Sequence, residues 1–422
     1  MENRSKGEKM KKMIHSTIRT YRQEGTKATM RKIKAHLFGQ NQVVVNSPSK
    51  INMDELPQMP QFSDLAKADY IHHPYVKPEK LSKDKLNIAW VSPPVGPGGG
   101  GHTTISRFVK YLQSQGHHIT FYIYHNNTIP QSAGEAQQIF SRSYGIDVDV
   151  EELDDFKNQD VVFATSWETA YAVFNLHDDQ LHKFYFVQDF EPIFFGVGSR
   201  YMLAEATYKF GFYGITAGRW LVEKVSQYGM QADYFDFGAD IDIYKPKAPI
   251  VKKKKISFYA RAHTERRGFE IGVMALKIFK EKHPEYDIEF FGQDMSNYDI
   301  PFEFTDRGIL NKAQLAEVYH ESVACLVLSL TNVSLLPLEL LVAGCVPVMN
   351  DGDNNRMVLG DIDDILYTEA YPVSLANKLC EAVERSDINE HAEQMSNKYT
   401  GLSWDESYKK VEKIIRREVI NG

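Results

Sequence analysis

Three stretches of this chain place chemically capable residues at the ends of apolar runs. In "YARAHTERRG" (residues 259–268), Arg261 closes an apolar segment, and Arg266 and Arg267 follow one loop later. Guanidiniums clustered beyond a parallel strand suit a diphosphate in charge and in fork geometry. The plainer reading is a surface cluster balanced by Glu265 and Glu270, and Arg266 is expected to face solvent or Glu270. In "LSLTNVSLLPLELLVAGCVPVMNDG" (328–352), a polar loop enters an apolar helix that carries one acid, Glu339. A lone carboxylate among leucines is costly unless it has a partner. A ribose diol is one such partner, and the loop amides before Pro337 can meet phosphate oxygens. In "VGPGGGGHTT" (95–104), four adjacent glycines exceed what a tight turn needs. They leave backbone N–H groups uncovered at a helix start, which suits a phosphate or sugar at close range. The plainer reading is a flexible loop.

Two further patterns are weaker. Gly96, Gly98 and Gly101 fit a dinucleotide fingerprint, but the next strand ends in His125-Asn126-Asn127, without the acid that would hold a ribose. A nicotinamide cofactor is therefore disfavoured. Asp240–Asp242 and Asp351–Asp353 have the Asp-x-Asp spacing of a divalent-metal site, a spacing common by chance. No metal and no resident cofactor are expected.

The elements that must position these residues alternate along the chain. Apolar runs at 86–92, 118–124, 160–166, 183–189 and 213–218 are each followed by a helical pattern or a turn. After a proline-rich, basic break at 240–255 the alternation restarts at 256–261, 286–292, 324–330 and 346–350, with helices expected near 268–283, 312–320 and 337–343. This predicts an α/β protein with two doubly wound, Rossmann-like domains, helices on both faces of each sheet and a cleft between them. The expected division is a basic arm and proline-rich wrapping extension (1–80), a first Rossmann-like domain (81–245), a second Rossmann-like domain (246–400) and a C-terminal helix (401–422) that crosses back to the first domain.

Composition narrows the class. The chain has 422 residues and a net charge of -7, which argues against general nucleic-acid binding. Cys325, Cys345 and Cys380 show no pairing or metal-ligand spacing, as in a reduced, cytoplasmic compartment. No apolar run reaches the ~18–20 residues of a spanning helix, and the charged N-terminus is unlike a secretory signal. Residues 1–40 carry a local charge of about +8, with apolar residues at helical spacing. This reads either as an arm resting on an anionic membrane, at the inner face, or as a solvated segment.

Over about residues 86–415 the chain resembles the retaining glycosyltransferases of the GT-B fold, the large family 4 group. The resemblance implies a donor diphosphate at Arg261 and at Arg267, which stands where the family has lysine. Gly292 matches the glycine ending the second strand, and Gly308 the loop that contacts the base. Ser334 and Leu335 match the loop whose amides face the phosphates, and Glu339 matches the acid on the ribose. The family's Glu-x7-Glu motif would place its first acid at Thr331, a departure that bears on sugar identity; Asn332 lies in the same donor loop. Gly99, Gly100 and Gly101 match the loop approaching the donor from the acceptor side, and His102 beside them contacts donor or acceptor, or is an N-cap neighbour. "FYFVQDFEPIFFGVGSRYMLAEATYKFG" (184–211) is similar to bacterial rhamnosyltransferases of surface-polysaccharide and S-layer glycan assembly. This implies a dTDP-β-L-rhamnose donor and an oligosaccharide or lipid-linked glycan acceptor. Gln188, Asp189 and Glu191 would then face the cleft, with Asp189 or Glu191 orienting the acceptor, or either acid only capping a helix. Two other readings stay open: another nucleotide-sugar enzyme such as an epimerase or phosphorylase, and a catalytically silent scaffold of a glycan-assembly complex.

Overall fold

Short apolar runs buried on both faces can satisfy their backbone only in the middle of a parallel sheet. Trp90 lies in such a run and is fully buried, stacked on Phe163 with centroids 4.3 Å apart. The computed structural model describes residues 59–125 and 130–421. The basic arm and the start of the proline-rich connection lie outside the described residues.

The first sheet contains β1 (Asn87–Ser92), β2 (His118–Ile123), β3 (Asp149–Glu152), β4 (Val161–Ala164), β5 (His182–Val187), β6 (Tyr213–Ala217) and β7 (Ala232–Phe235), in the order β3-β2-β1-β4-β5-β6-β7. The second contains β8 (Lys255–Tyr259), β9 (Asp287–Phe291), β10 (Thr305–Asp306), β11 (Ala324–Val327), β12 (Val346–Asn350) and β13 (Leu366–Thr368), in the order β10-β9-β8-β11-β12-β13. Every strand pair is parallel. Both sheets are therefore doubly wound, with strand order reversing between β1 and β4 and between β8 and β11. Ligands of such sheets bind beyond the strand carboxyl ends at those reversal points.

Each sheet has its own apolar core. The helix Gly100–Ser114 buries Ile105, Phe108, Val109 and Leu112 against the first sheet, the face its sequence spacing predicts. Two segments connect the domains. The chain passes from β7 through Gly238 and the short helix Ile241–Tyr244 into β8, and the helix Asp405–Val419 returns to the first domain. There Trp404 packs on Phe108 and Phe237, and Val411, Ile414, Ile415 and Val419 join the first core. Ala239 N–H donates to Leu402 O at 2.7 Å, so the outgoing and returning segments touch. Ahead of β1, Tyr75 accepts from Lys183 N–H and donates to Leu181 O, fastening the extension to β5.

Candidate active site

At the reversal point of the second sheet, β8 runs into a loop that ends in the 3-10 turn Glu265–Arg267. Adjacent side chains of so tight a turn diverge. Arg267 turns inward, where its Nη1 lies 2.5 Å from Ser329 Oγ and 3.5 Å from Asn332 O. Burial lowers its pKa, with Asp189 working the other way. Among the described residues no carboxylate comes within ion-pair distance of Arg267 or Arg261. Arg261 Nη1 donates to Gly292 O at 3.1 Å, and Gly292 N–H donates to Gly308 O at 2.8 Å. Gly292 has φ +108, and a Cβ there would meet the Tyr259 ring at 2.8 Å, so the turn requires glycine. The structure thus joins Arg261, Gly292 and Gly308 in one hydrogen-bonded corner.

Glu339 lies buried in the helix Leu336–Val342, with Tyr319 OH 3.4 Å from its Oε2. Burial pushes its carboxyl up to about 7, and the charge of Asp240 adds to that. Asp240 accepts from both terminal nitrogens of Arg107, at 2.5 and 2.7 Å, and from Lys312 at 2.8 Å. Burial opposes its ionisation, but these cations hold it at about 2. A charge network linking the glycine-loop helix, the connecting segment and the second domain therefore borders Glu339. Sequence reasoning missed Arg107. The available signal was a cation inside the buried run Ile105, Ser106, Phe108, Val109.

Across the cleft, the glycines open the helix Gly100–Ser114 beyond β1. The Gly99 N–H is not uncovered as expected: it donates to Tyr144 OH at 3.0 Å, and Tyr144 OH in turn donates to Gly96 O. Tyr144 had no signal in the sequence. Gly100 borders open space, while a Cβ on Gly101 would lie 3.2 Å from Gln188 Nε2. His102 packs beside the Phe140 and Tyr144 rings, its Nε2 2.9 Å from Ser92 Oγ, and burial pushes its imidazole down to about 4. It is therefore neutral near pH 7 and anchors the loop to β1.

The acids after β5 depart from expectation. Glu191 does not face the cleft. It is buried, and its Oε2 accepts from Trp167 N–H at 2.5 Å and Tyr185 OH at 2.8 Å. Asp189 does reach the second domain, but as an acceptor from Thr331 Oγ1 and Asn332 N–H, both at 2.9 Å. The Asn332 side chain donates to Gln188 O at 2.9 Å and Ala217 O at 2.8 Å, so Asn332 bridges the domains rather than pointing into open cleft. Arg266 turns neither to solvent nor to Glu270. Its Nε lies 3.4 Å from Asp189 Oδ2, and its guanidinium sits 3.9 Å over the Phe194 ring. Leu335 packs against the first core, and Ser334 Oγ is buried without a hydrogen-bond partner among the described residues.

Two doubly wound domains facing one cleft, with Arg261 and Arg267 beyond the strands of the second and no carboxylate partner for either among the described residues, give the protein the GT-B class of fold. The chain matches the family described as WsaF, N-terminal domain, over residues 120–216 and WsaF, C-terminal domain, over residues 254–380. These matches follow the order of the two sheets and cover more than half of the chain, and the protein belongs to the WsaF-like glycosyltransferases.

Among curated proteins, the O-antigen biosynthesis protein RfbC of Myxococcus xanthus is 31% identical over 261 residues. That match covers 60% of this chain, which spans only 20% of RfbC. Among solved structures, Anabaena HepE in complex with UDP and glucose is similar with a TM-score of 0.61 and 12% identity, covering 78% of this chain and 99% of that one. The sucrose-phosphate synthase of Thermosynechococcus elongatus gives a TM-score of 0.61 and 12% identity, covering 79% and 99%. At such identities these structures establish the fold alone. No helix of the described residues is long and apolar enough to cross a membrane.

Proposed function

We propose that the protein transfers L-rhamnose from dTDP-β-L-rhamnose to a growing surface glycan, of an S-layer or polysaccharide, with retention and without a metal ion. The observation that carries this reading is Arg267, a half-buried cation at the reversal point of the second sheet whose side-chain hydrogen bonds, among the described residues, go to Ser329 Oγ and Asn332 O and to no carboxylate. A partly desolvated charge without a counter-ion is costly, and an anionic ligand offsets that cost. Ser334 Oγ, buried without a hydrogen-bond partner among the described residues, supports the same place for phosphate oxygens. Membership of the WsaF-like family and likeness to a protein named for O-antigen biosynthesis support the glycan. The UDP and glucose named for HepE support a nucleotide sugar.

The leaving diphosphate gains charge as the glycosidic bond breaks. Cations and loop amides fixed around it lower the barrier by interacting more strongly with that state than with the bound donor. Arg261, Arg267, Ser334 and the Ser334–Leu335 amides fill this role. Glu339 accepts from the ribose hydroxyls, with Gly292 and Gly308 near the base. The acceptor enters over Gly99–Gly101 and His102, on the face the diphosphate leaves. A phosphate oxygen takes the acceptor proton, so no protein base is required. The basic arm holds the enzyme at the inner membrane face beside a lipid-linked acceptor.

Incubation with dTDP-β-L-rhamnose and a synthetic rhamnosylated acceptor, with and without EDTA, tests the reading. A β-linked product formed equally in EDTA is expected. No transfer from any nucleotide sugar offered would overturn the assignment, and a rate that needs Mg²⁺ or Mn²⁺ would overturn metal independence.

A further inference from the structure

Asp189 has a place in this cleft that acceptor binding does not explain. Its side chain is 12% exposed and stands at the carboxyl end of β5, in the first domain. Oδ1 accepts from its neighbour Phe190 N–H and from Asn332 N–H, both at 2.9 Å, while Oδ2 accepts from Thr331 Oγ1 at 2.9 Å. Arg266 balances the charge from 3.4 Å. Thr331 and Asn332 are themselves 3% and 1% exposed.

The same loop is held from its other side by asparagines. Ser329 O accepts from Asn350 at 2.9 Å and from Asn354 at 2.8 Å, and Asn354 also donates to Thr331 O. The segment between Ser329 and Asn332 is therefore gripped by its own domain on one side and by an acid of the opposite domain on the other. Ser329 and Asn332 O are the groups that hold Arg267, and Ser334 and Leu335 follow directly. The carboxylate at 189 accepts from all three donors at once. An amide there keeps one acceptor oxygen for the two N–H groups and faces the Thr331 hydroxyl, which can accept, with its NH2, so alanine rather than asparagine removes the hold.

We propose that Asp189 is a positioning residue. By holding Thr331 and Asn332 from the first domain, it sets the donor loop and Arg267 in place, so that diphosphate binding requires contact between the two domains. Arg266 keeps the Asp189 charge from repelling the diphosphate. This rests on the reading under Proposed function for the identity of the ligand, but not for the hold itself.

Hydrogen exchange on the full chain, followed peptide by peptide without ligand, tests the hold. Asp189→Ala should speed exchange at residues 331–336 about tenfold or more, while residues 255–291 keep the wild-type rate. Titration with dTDP and with UDP tests the consequence. The affinity for whichever nucleotide the wild type binds should fall about tenfold in Asp189→Ala and less in Thr331→Val, and the double substitution should lose no more than Asp189→Ala alone. Wild-type exchange at 331–336, a uniform rise across the chain, or unchanged nucleotide affinity would each overturn the proposal. A loss confined to the acceptor KM would mean that Asp189 touches the acceptor instead. If the wild type binds neither nucleotide, the donor reading fails, and the exchange result alone decides whether Asp189 positions the loop.

Discussion

Glu191 shows what burial does to a single acid in this protein. Its carboxyl is pushed up to about 8 by burial, with the neighbouring Glu168 adding to the shift. Between about pH 4.5 and 8 the native state keeps a proton that the unfolded chain has released, so this group makes stability fall as pH rises through that window. Glu191→Gln should therefore gain thermal stability relative to the wild type at pH 8.5 but not at pH 5. An equal difference at both pH values would show that Glu191 does not titrate there. Glu339 titrates nearer neutrality, at about 7. In the proposed site its ionised form would accept from both ribose hydroxyls, whereas the protonated form has less acceptor capacity. Nucleotide affinity should rise from pH 6 to 8 in the wild type and stay flat in Glu339→Gln, measured by calorimetry. Parallel pH profiles would remove Glu339 from the ribose. Arg261, Arg267 and Glu339 drew attention in the sequence because a charge beside or inside an apolar run stands out locally. The contacts of Asp189 were not legible, because its partners lie 142 and 143 residues away and are a threonine and an asparagine.

At the scale of elements, the strands visible in the sequence are those buried on both faces. β3, β7, β10 and β13 escaped notice, and they are the four sheet edges, mostly half-exposed or exposed, without a continuous apolar run. The contact between the two crossing segments was equally hidden. Gly238 lies so close to the returning chain that a Cβ would stand 2.7 Å from the Ser403 carbonyl carbon. Backbone cannot yield as a side-chain tip does, and overpacking of this kind costs about 1–3 kcal/mol. Gly238→Ala should lower the unfolding free energy by that amount in urea titrations. A change within experimental error would mean that the crossing is loose.

For the whole molecule, the charge distribution separates a basic arm from an acidic body. Deleting residues 1–40 should leave turnover on a soluble acceptor unchanged and weaken sedimentation with phosphatidylserine vesicles, at roughly 1 kcal/mol per basic residue near such a surface. Equal sedimentation with and without the arm would make it a solvated tail. The two-domain plan was legible because strand and helix patterns restart after a charged, proline-rich break. How closely the domains meet was not, since Asn332 and Gly238 carry no local mark of the contacts they make, and the cation in the apolar run at Arg107 does not reveal that its partner is Asp240, 133 residues away. The account as a whole stands on one cation. Arg267→Ala should still fold cooperatively, with an unchanged far-ultraviolet circular dichroism spectrum at pH 7. Its kcat for transfer from dTDP-β-L-rhamnose should fall about 10²–10³-fold, the usual cost of one transition-state contact in a closed site. Transfer by Arg267→Ala within twofold of the wild-type kcat would contradict the placement of the diphosphate, and with it the central claim.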